Sequence, residues 1–134
     1  VYGILMPGRG FHDGVPVIKV KDIKDAQIDT SDLLLTDPRI DEVYRRSRVR
    51  TGDLLFTIRG TVGRMAFVPP ELDAANITQD TARISLLDSN PLFIARWLEM
   101  PIPSRFRDAH TIGVAVGDKF RRCSPYPRCS CPKA

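Results

Sequence analysis

Residues 51–69, TGDLLFTIRGTVGRMAFVP, restrict the fold of this chain more than any other stretch. Two apolar runs stand on either side of a short polar segment, which is the pattern of two paired β-strands joined by a turn. Gly60 and Gly63 lie in that segment, and glycine adopts backbone angles that other residues avoid. The stretch therefore predicts a β-hairpin over residues 53–68 and antiparallel pairing at the centre of the chain.

Both strand and helix patterns occur in the rest of the chain. Asp37-Pro38 and Asn90-Pro91 each place a capping residue before a proline, which is typical of helix starts. Short apolar runs bounded by turn-forming residues predict strands. We expect strands at 1–6, 15–20, 33–36 and within 75–88, and helices from 37, from 90 and after 103.

The segment VPVIKV, residues 15–20, has features of its own. Pro16 near its start is compatible with an edge strand, because proline donates no ladder hydrogen bond. Strand alternation places Lys19 and Lys21 on one face. Residues 7–14, PGRGFHDG, are rich in glycine and predict a loop.

Positive charge is local rather than general. The chain carries a formal net charge of +4, with 15 arginines and 5 lysines, but residues 1–117 are neutral overall. Residues 39–64 hold seven basic and three acidic groups. Arginine suits planar contact with phosphate or a guanine edge. If the chain binds nucleic acid, a basic patch on a neutral body is the expected arrangement.

Composition places the chain among ordinary soluble domains. Its 134 residues suit a single domain, with 43% apolar and 27% charged residues. No apolar run approaches the roughly 18 residues that cross a bilayer, and there is no signal peptide, so we expect a cytoplasmic protein without a membrane partner. The three cysteines all lie in the last dozen residues with C-x5-C-x-C spacing, which indicates a reducing compartment and predicts no metal site.

Two stretches together resemble a known family. GDLLFTIRGTVGRMAFV, followed by ANITQDTARI, is similar to the target recognition domain of the specificity subunit of type I restriction–modification systems. The resemblance covers roughly residues 2–116. It implies an α+β fold, a single globular domain over residues 1–117 with a mostly antiparallel, curved β-sheet core and a few flanking helices.

The resemblance also implies a function. Such domains are not catalysts; each reads one half of a split double-stranded DNA target. In the whole subunit two of them alternate with long helices that dock the methylation subunits. Restriction subunits complete the system, and S-adenosylmethionine and ATP bind the partner subunits, so no cofactor is expected in this chain.

The sequence departs from that family at its end. It contains no second recognition domain and no long heptad helix. Residues 118–134, rich in arginine, cysteine and proline, replace the apolar PLPP-like stretch of the family. We interpret them as an atypical tail, disordered or produced by a frame shift. Without the long helices, docking of the methylation subunits has no support in this sequence.

Candidate DNA-binding residues were selected by chemistry. Arginine and lysine suit phosphate, and asparagine and glutamine pair with adenine. Each also has an ordinary interpretation as a turn residue or a solvated charge. The candidates are Arg9, His12, Lys19, Lys21, Arg45, Arg46, Arg48, Arg59, Thr61, Arg64, Asn76, Thr78, Gln79, Arg105 and Arg107.

Two alternatives remain open from the sequence. Asp22 and Lys24 form a D-x-K pattern that, with Asp13, occurs in small metal-dependent nucleases. The second alternative is a remnant domain that folds but binds nothing. The preferred interpretation has no catalytic residues and no bound metal.

Overall fold

The computed structural model describes residues 3–85 and 90–111. Within those ranges the chain forms eight strands and three α-helices. The strands are β1 (Val15–Ile18), β2 (Ile23–Lys24), β3 (Gln27–Ile28), β4 (Leu34–Thr36), β5 (Leu54–Thr57), β6 (Met65–Phe67), β7 (Asn76–Ile77) and β8 (Thr81–Ile84). The helices are α1 (Pro38–Val43), α2 (Pro91–Glu99) and α3 (Pro101–His110).

The predicted hairpin is confirmed. β5 and β6 pair antiparallel with Leu55 opposite Ala66, and β8 pairs antiparallel on the other side of β5. Gly60 and Gly63 have positive φ angles of 69° and 92°, the left-handed region that glycine enters without a steric penalty. The two glycines therefore make the turn, as the sequence predicts.

A second three-stranded sheet has the order β4-β1-β7. β4 runs antiparallel to β1, and β7 runs parallel to it. The prediction of an edge position for Pro16 is wrong, because β1 is the central strand. Pro16 is accommodated since β7 pairs only with Val17 and Ile18, which leaves one side of the proline without a neighbouring strand.

The predicted strand over residues 15–20 ends early. Beyond Ile18 the chain forms a 3-10 turn, Val20–Asp22. The backbone N–H of Lys19 donates to the Asp22 carboxylate at 2.9 Å, which stabilises the turn. Lys19 and Lys21 therefore do not share a strand face; they lie on either side of Val20 in a turn.

The main core joins both three-stranded sheets. Ile18 and Ile77 come from one sheet, Leu55 from the other, and Ile23 from the β2–β3 hairpin. All four are at most 1% exposed. Burial of these apolar side chains packs the three small sheets into one domain. The α+β class with mostly antiparallel pairing is confirmed, although the strands form three sheets rather than one continuous sheet.

α1 and α2 begin where the sequence predicts, whereas α3 begins at Pro101, earlier than expected. Asp37 accepts from Arg39 N at 2.8 Å to cap α1, and Asn90 accepts from Leu92 N at 2.9 Å to cap α2. The first predicted strand is represented by Ile4, which forms an isolated parallel bridge with Thr78. The domain boundary at 117 and the tail at 118–134 lie outside the described residues. No helix in the described ranges is long and apolar enough to cross a membrane.

Candidate nucleic-acid interface

The loop between β5 and β6, residues 58–64, is here called the tip loop. Thr57 is buried beneath it and holds its two ends together. The Thr57 hydroxyl donates to the carbonyl of Thr61, and the backbone N–H of Arg64 donates back to that hydroxyl at 2.9 Å. Gly63 N donates to Thr57 O at 2.9 Å. The tip loop is therefore an ordered, hydrogen-bonded turn.

The tip loop is joined to the turn between β7 and β8. Backbone N–H groups of Ile58 and Arg59 donate to the carbonyl of Asp80 at 2.9 and 3.3 Å. On the other side of that turn, Gln79 N donates to Ile4 O at 3.2 Å. These hydrogen bonds involve main-chain atoms, so they place Arg59, Gln79 and Asp80 side by side whatever their side chains are.

Two further elements adjoin the tip loop. A Cβ built on Gly60 would lie 3.7 Å from Val20 Cγ1, and one built on Gly63 would lie 2.9 Å from Arg107 Cζ. The 3-10 turn therefore adjoins the tip loop at Gly60, and α3 adjoins it at Gly63. The structure brings five of the candidates together, and Lys19 joins them as the sequence neighbour of Val20; we call these six residues the tip surface: Lys19, Arg59, Thr61, Arg64, Gln79 and Arg107.

The side chains of the tip surface differ in their exposure and in their contacts with the rest of the protein. The Arg59 side chain is 63% exposed, with Nη1 3.9 Å from Asp80 Oδ1. Arg64 Nη1 donates to Ile23 O at 3.2 Å, which ties that arginine to β2. Arg107 is largely covered and lies 6.0 Å from the Phe56 ring centre. Arg59 is therefore the arginine of the tip surface best placed to meet a partner.

An open cleft continues from Lys19 and has a volume of about 530 Å³. His12, Lys21, Phe11 and Asp32 line it with Lys19, so the loop 7–14 supplies one wall. Lys21 Nζ lies 3.2 Å from Asp32 Oδ2, and this hydrogen bond raises the pKa of Lys21. Lys21 stays charged, but Asp32 offsets its charge, whereas His12 pairs with its neighbour in the sequence at 2.9 Å.

The loop that carries Asp32 depends on the ionised form of Asp29. Ser31 donates to Asp29 Oδ1 from its hydroxyl and its backbone, and Lys24 donates to Oδ2 at 3.2 Å. These hydrogen bonds, those from Ser31 first, lower the pKa of Asp29 to about 2. The stabilisation is therefore present above the ordinary carboxyl pKa and is lost as pH falls through the folded value.

We accordingly expect Asp29→Asn to melt at a lower temperature than the wild type at pH 6. The difference should shrink below pH 4 and disappear near pH 2, since protonated aspartate resembles the amide in charge. Thermal unfolding across this range, with Ser31→Ala as a companion variant, measures it. A difference that stays constant down to pH 2 would rule out the charge as its source.

Arg45, Arg46 and Arg48 form a separate group toward the base of the hairpin. The carbonyl of Arg48 accepts from the guanidinium of Arg83, whose Nε lies 3.8 Å from Asp53, the residue that precedes β5. The tip loop leaves from the opposite end of β5. The basic run is therefore displaced from the tip surface along the hairpin.

The guanidinium of Arg48 donates to carboxylates of the protein itself. Its Nε donates to Asp41 Oδ2 at 2.8 Å, and its Nη2 donates to Asp41 Oδ2 and to Glu42 Oε2. These contacts raise the pKa of Arg48 and lower that of Glu42. Arg45 also pairs with Glu42, at 3.3 Å, while Arg46 is exposed. The local net charge is therefore much smaller than the run of arginines indicates.

Asn76 and Thr78 are not at the surface. Asn76 is fully buried; its Oδ1 accepts from Ser47 Oγ and Ile77 N, and its Nδ2 donates to Asp41 Oδ1 and Tyr44 O. The amide is thus fully satisfied within the protein. Thr78 is only 8% exposed. Neither residue is included in the interface proposed below, because neither presents free polar groups to a partner.

Arg9 and Arg105 are exposed, in the loop 7–14 and on α3 respectively. No contact ties either side chain to the tip surface within the described residues. Neither arginine therefore belongs to the tip surface.

The nuclease alternative lacks a catalytic arrangement. Asp22 is buried and its carboxylate accepts from Lys19 N, whereas Asp13 is exposed and pairs with His12. Lys24 pairs with Asp29. Across residues 3–85 and 90–111, no three His, Cys, Asp or Glu side chains converge as a metal site would require.

Comparison with known proteins supports one of these interpretations. No protein-family model matches the chain. A curated relative, the Type I restriction enzyme EcoBI specificity subunit of Escherichia coli, is 38% identical over 103 residues. The chain is homologous to part of a type I specificity subunit. The resemblance predicted from the sequence is thereby confirmed.

The match covers 75% of this chain but 22% of the type I specificity subunit. The chain therefore spans about a fifth of the length of the curated relative that it matches.

Sequence reasoning missed Asp80, which the structure places beside Arg59. Asp80 is acidic, and the chemistry used to predict DNA contacts covered cations and amides only. Its position next to Gln79, in the short TQDT turn before a predicted strand, is the signal that would have drawn attention to it. Asp41, the buried partner of both Asn76 and Arg48, was missed because its partners are distant in the sequence.

Proposed function

We propose that this chain is a non-catalytic, sequence-specific double-stranded DNA-binding domain that reads one half of a split target for a type I restriction–modification complex. The observation that carries the proposal is the 38% identity to a type I specificity subunit. Catalysis would then belong to separate methylation and restriction subunits, and the chain would act in the cytoplasm, where its DNA is.

The tip surface supports the proposal physically. Four elements contribute cationic and amide side chains to it: the 3-10 turn, the tip loop, the β7–β8 turn and α3. Hydrogen bonds between main-chain atoms fix the tip loop to the β7–β8 turn, so little ordering of these two elements is needed when a partner binds. A two-stranded β-ribbon is also an element that the major groove admits.

Lys19 is proposed as a phosphate contact. It lines the open cleft, and the next residue, Val20, adjoins the tip loop. A lysine that neutralises one phosphate contributes about 0.9 to the slope of log K against log salt. That contribution is independent of sequence, because phosphate carries no sequence information.

Binding of a selected duplex and of random duplexes should therefore weaken steeply with salt. A ligand duplex is first selected from a random pool with the full chain. We expect Lys19→Ala to weaken both classes of duplex about equally, and to reduce the salt slope by about 1. Fluorescence anisotropy at several salt concentrations measures both quantities.

Lys24→Ala is the matched control, because Lys24 is an exposed lysine that pairs with Asp29 outside the tip surface. It should leave the slope unchanged. A wild-type chain whose binding does not respond to salt, or that retains no duplex from the pool, would contradict the proposed function and would favour the remnant interpretation.

A further inference from the structure

We propose that Arg59 and Asp80 act together to recognise one G·C base pair through its major-groove edge. This inference rests on the DNA-binding function proposed above and assigns a base pair to the tip surface. It is argued from the position, the spacing and the opposite charges of the two side chains.

The position of the pair is fixed by the backbone. The carbonyl of Asp80 accepts from both Ile58 N and Arg59 N, so the two residues are neighbours across two different loops. Thr81 N donates to Thr78 O at 3.1 Å, which closes the turn that holds Asp80. Neither the Arg59 nor the Asp80 side chain forms a hydrogen bond within the described residues.

The spacing of the pair leaves its polar atoms free to bind. Arg59 Nη1 and Asp80 Oδ1 are 3.9 Å apart, which is beyond hydrogen-bond range but close enough for attraction. The side chains are 63% and 38% exposed. The carboxylate therefore orients the guanidinium without consuming its donors, and a partner meets a donor fork and an acceptor side by side.

The charges of the pair argue against a phosphate partner. A phosphate that approached Arg59 would also approach the Asp80 carboxylate, and like charges about 4 Å apart repel by about 1 kcal/mol even in bulk water. An isolated arginine has no such penalty. The Arg59 site therefore favours a neutral partner that offers acceptors next to a donor.

A G·C pair offers that arrangement in the major groove. Guanine presents the acceptors O6 and N7, which suit arginine, and cytosine presents the N4 amino donor, which suits a carboxylate. O6 and N4 are hydrogen-bonded to each other in the pair, hence about 2.9 Å apart. This distance is about 1 Å shorter than the 3.9 Å between the Arg59 and Asp80 atoms. An A·T pair also presents a donor beside an acceptor, adenine N6 and thymine O4, but its purine lacks the second acceptor that a bidentate arginine contact requires.

The test uses the full chain and the duplex selected from a random pool. Each G·C pair in the selected duplex is replaced in turn by A·T, and each guanine by 7-deazaguanine, which lacks the N7 acceptor. We expect one position at which both changes weaken wild-type binding by about 10- to 100-fold, the range for one bidentate base contact. At that position each of the variants Arg59→Ala and Asp80→Ala should bind the G·C, 7-deazaguanine and A·T duplexes with affinities that differ by no more than about threefold.

Controls separate this role from a general charge effect. Arg96 on α2 also forms an exposed ion pair, with Glu99 at 3.1 Å, and Arg96→Ala should keep the preference of the wild type. Arg59→Ala should leave the salt slope unchanged, in contrast to Lys19→Ala. Thermal unfolding verifies that each variant is folded.

Two results would overturn the inference alone. One is a base preference that survives in Arg59→Ala and Asp80→Ala; the other is an equal change in affinity for all duplexes with an altered salt slope. A chain that binds no duplex at all would instead overturn the proposed function, and the inference with it.

Discussion

Asn76→Ala is expected to lower the free energy of unfolding by about 3 kcal/mol, because Asn76 is fully buried and its amide joins four groups. The Asp41 carboxylate loses the donor on Oδ1 and retains Arg48 on Oδ2. Ser47 loses its buried acceptor on Asn76. Polar groups without partners in a dry interior are costly, and a carboxylate more so than a hydroxyl.

Urea denaturation measures this effect, with Gln79→Ala as the control. Gln79 is partly exposed and should change stability by less than about 0.5 kcal/mol, in line with surface positions. The alternative assigned to Asn76 from the sequence was adenine readout. An Asn76→Ala protein that is as stable as the wild type but loses DNA affinity would restore that alternative.

Gly3→Ala is expected to destabilise the chain by a similar amount, about 3 kcal/mol. A Cβ on Gly3 would lie 2.3 Å from Ile77 O and 2.5 Å from Thr78 O, and both are backbone atoms. The segment around Gly3 and Ile4 must therefore move away from β7. Ile4, which is 0% exposed and donates to Ile77 O at 2.7 Å, would then lose both its burial and its hydrogen bond.

The same movement should reach the interface. Gln79 N donates to Ile4 O, so displacement of Ile4 frees the turn that holds Asp80. We expect Gly3→Ala to lose base preference more than salt-dependent affinity. Gly10→Ala is the control: Gly10 has no positive φ, and its Cβ would lie 3.9 Å from a flexible Leu34 methyl group. Equal stability of the two variants would show that the close approach at Gly3 is relieved at little cost.

The sequence predicted those parts of the fold that depend on local chemistry. The Asp37 and Asn90 caps, and the glycines of the tip loop, act on residues that follow within a few positions. Such features can be read from the sequence because the interacting groups are adjacent in it. The order of the strands is different, since the parallel pairing of β1 with β7 joins residues about sixty positions apart, and nothing local specifies it.

The same distinction between local and tertiary contacts explains which candidate residues are available to a partner. Arg48 and Asn76 have the right chemistry for DNA, but both are used by Asp41, which lies 7 and 35 positions away in the sequence. Only a tertiary structure reveals that competition. Conversely, Lys19 and Arg59 were selected for charge alone, and the approach of Val20 to Gly60 is what places them at one end of the molecule.

Because the tip loop is fastened to the neighbouring turn by amides and a carbonyl, the side chains at 59, 79 and 80 have no part in holding the scaffold together. Their identities can change without unfolding what supports them. Under the proposed function, a new target preference would therefore require only new side chains on an unchanged backbone.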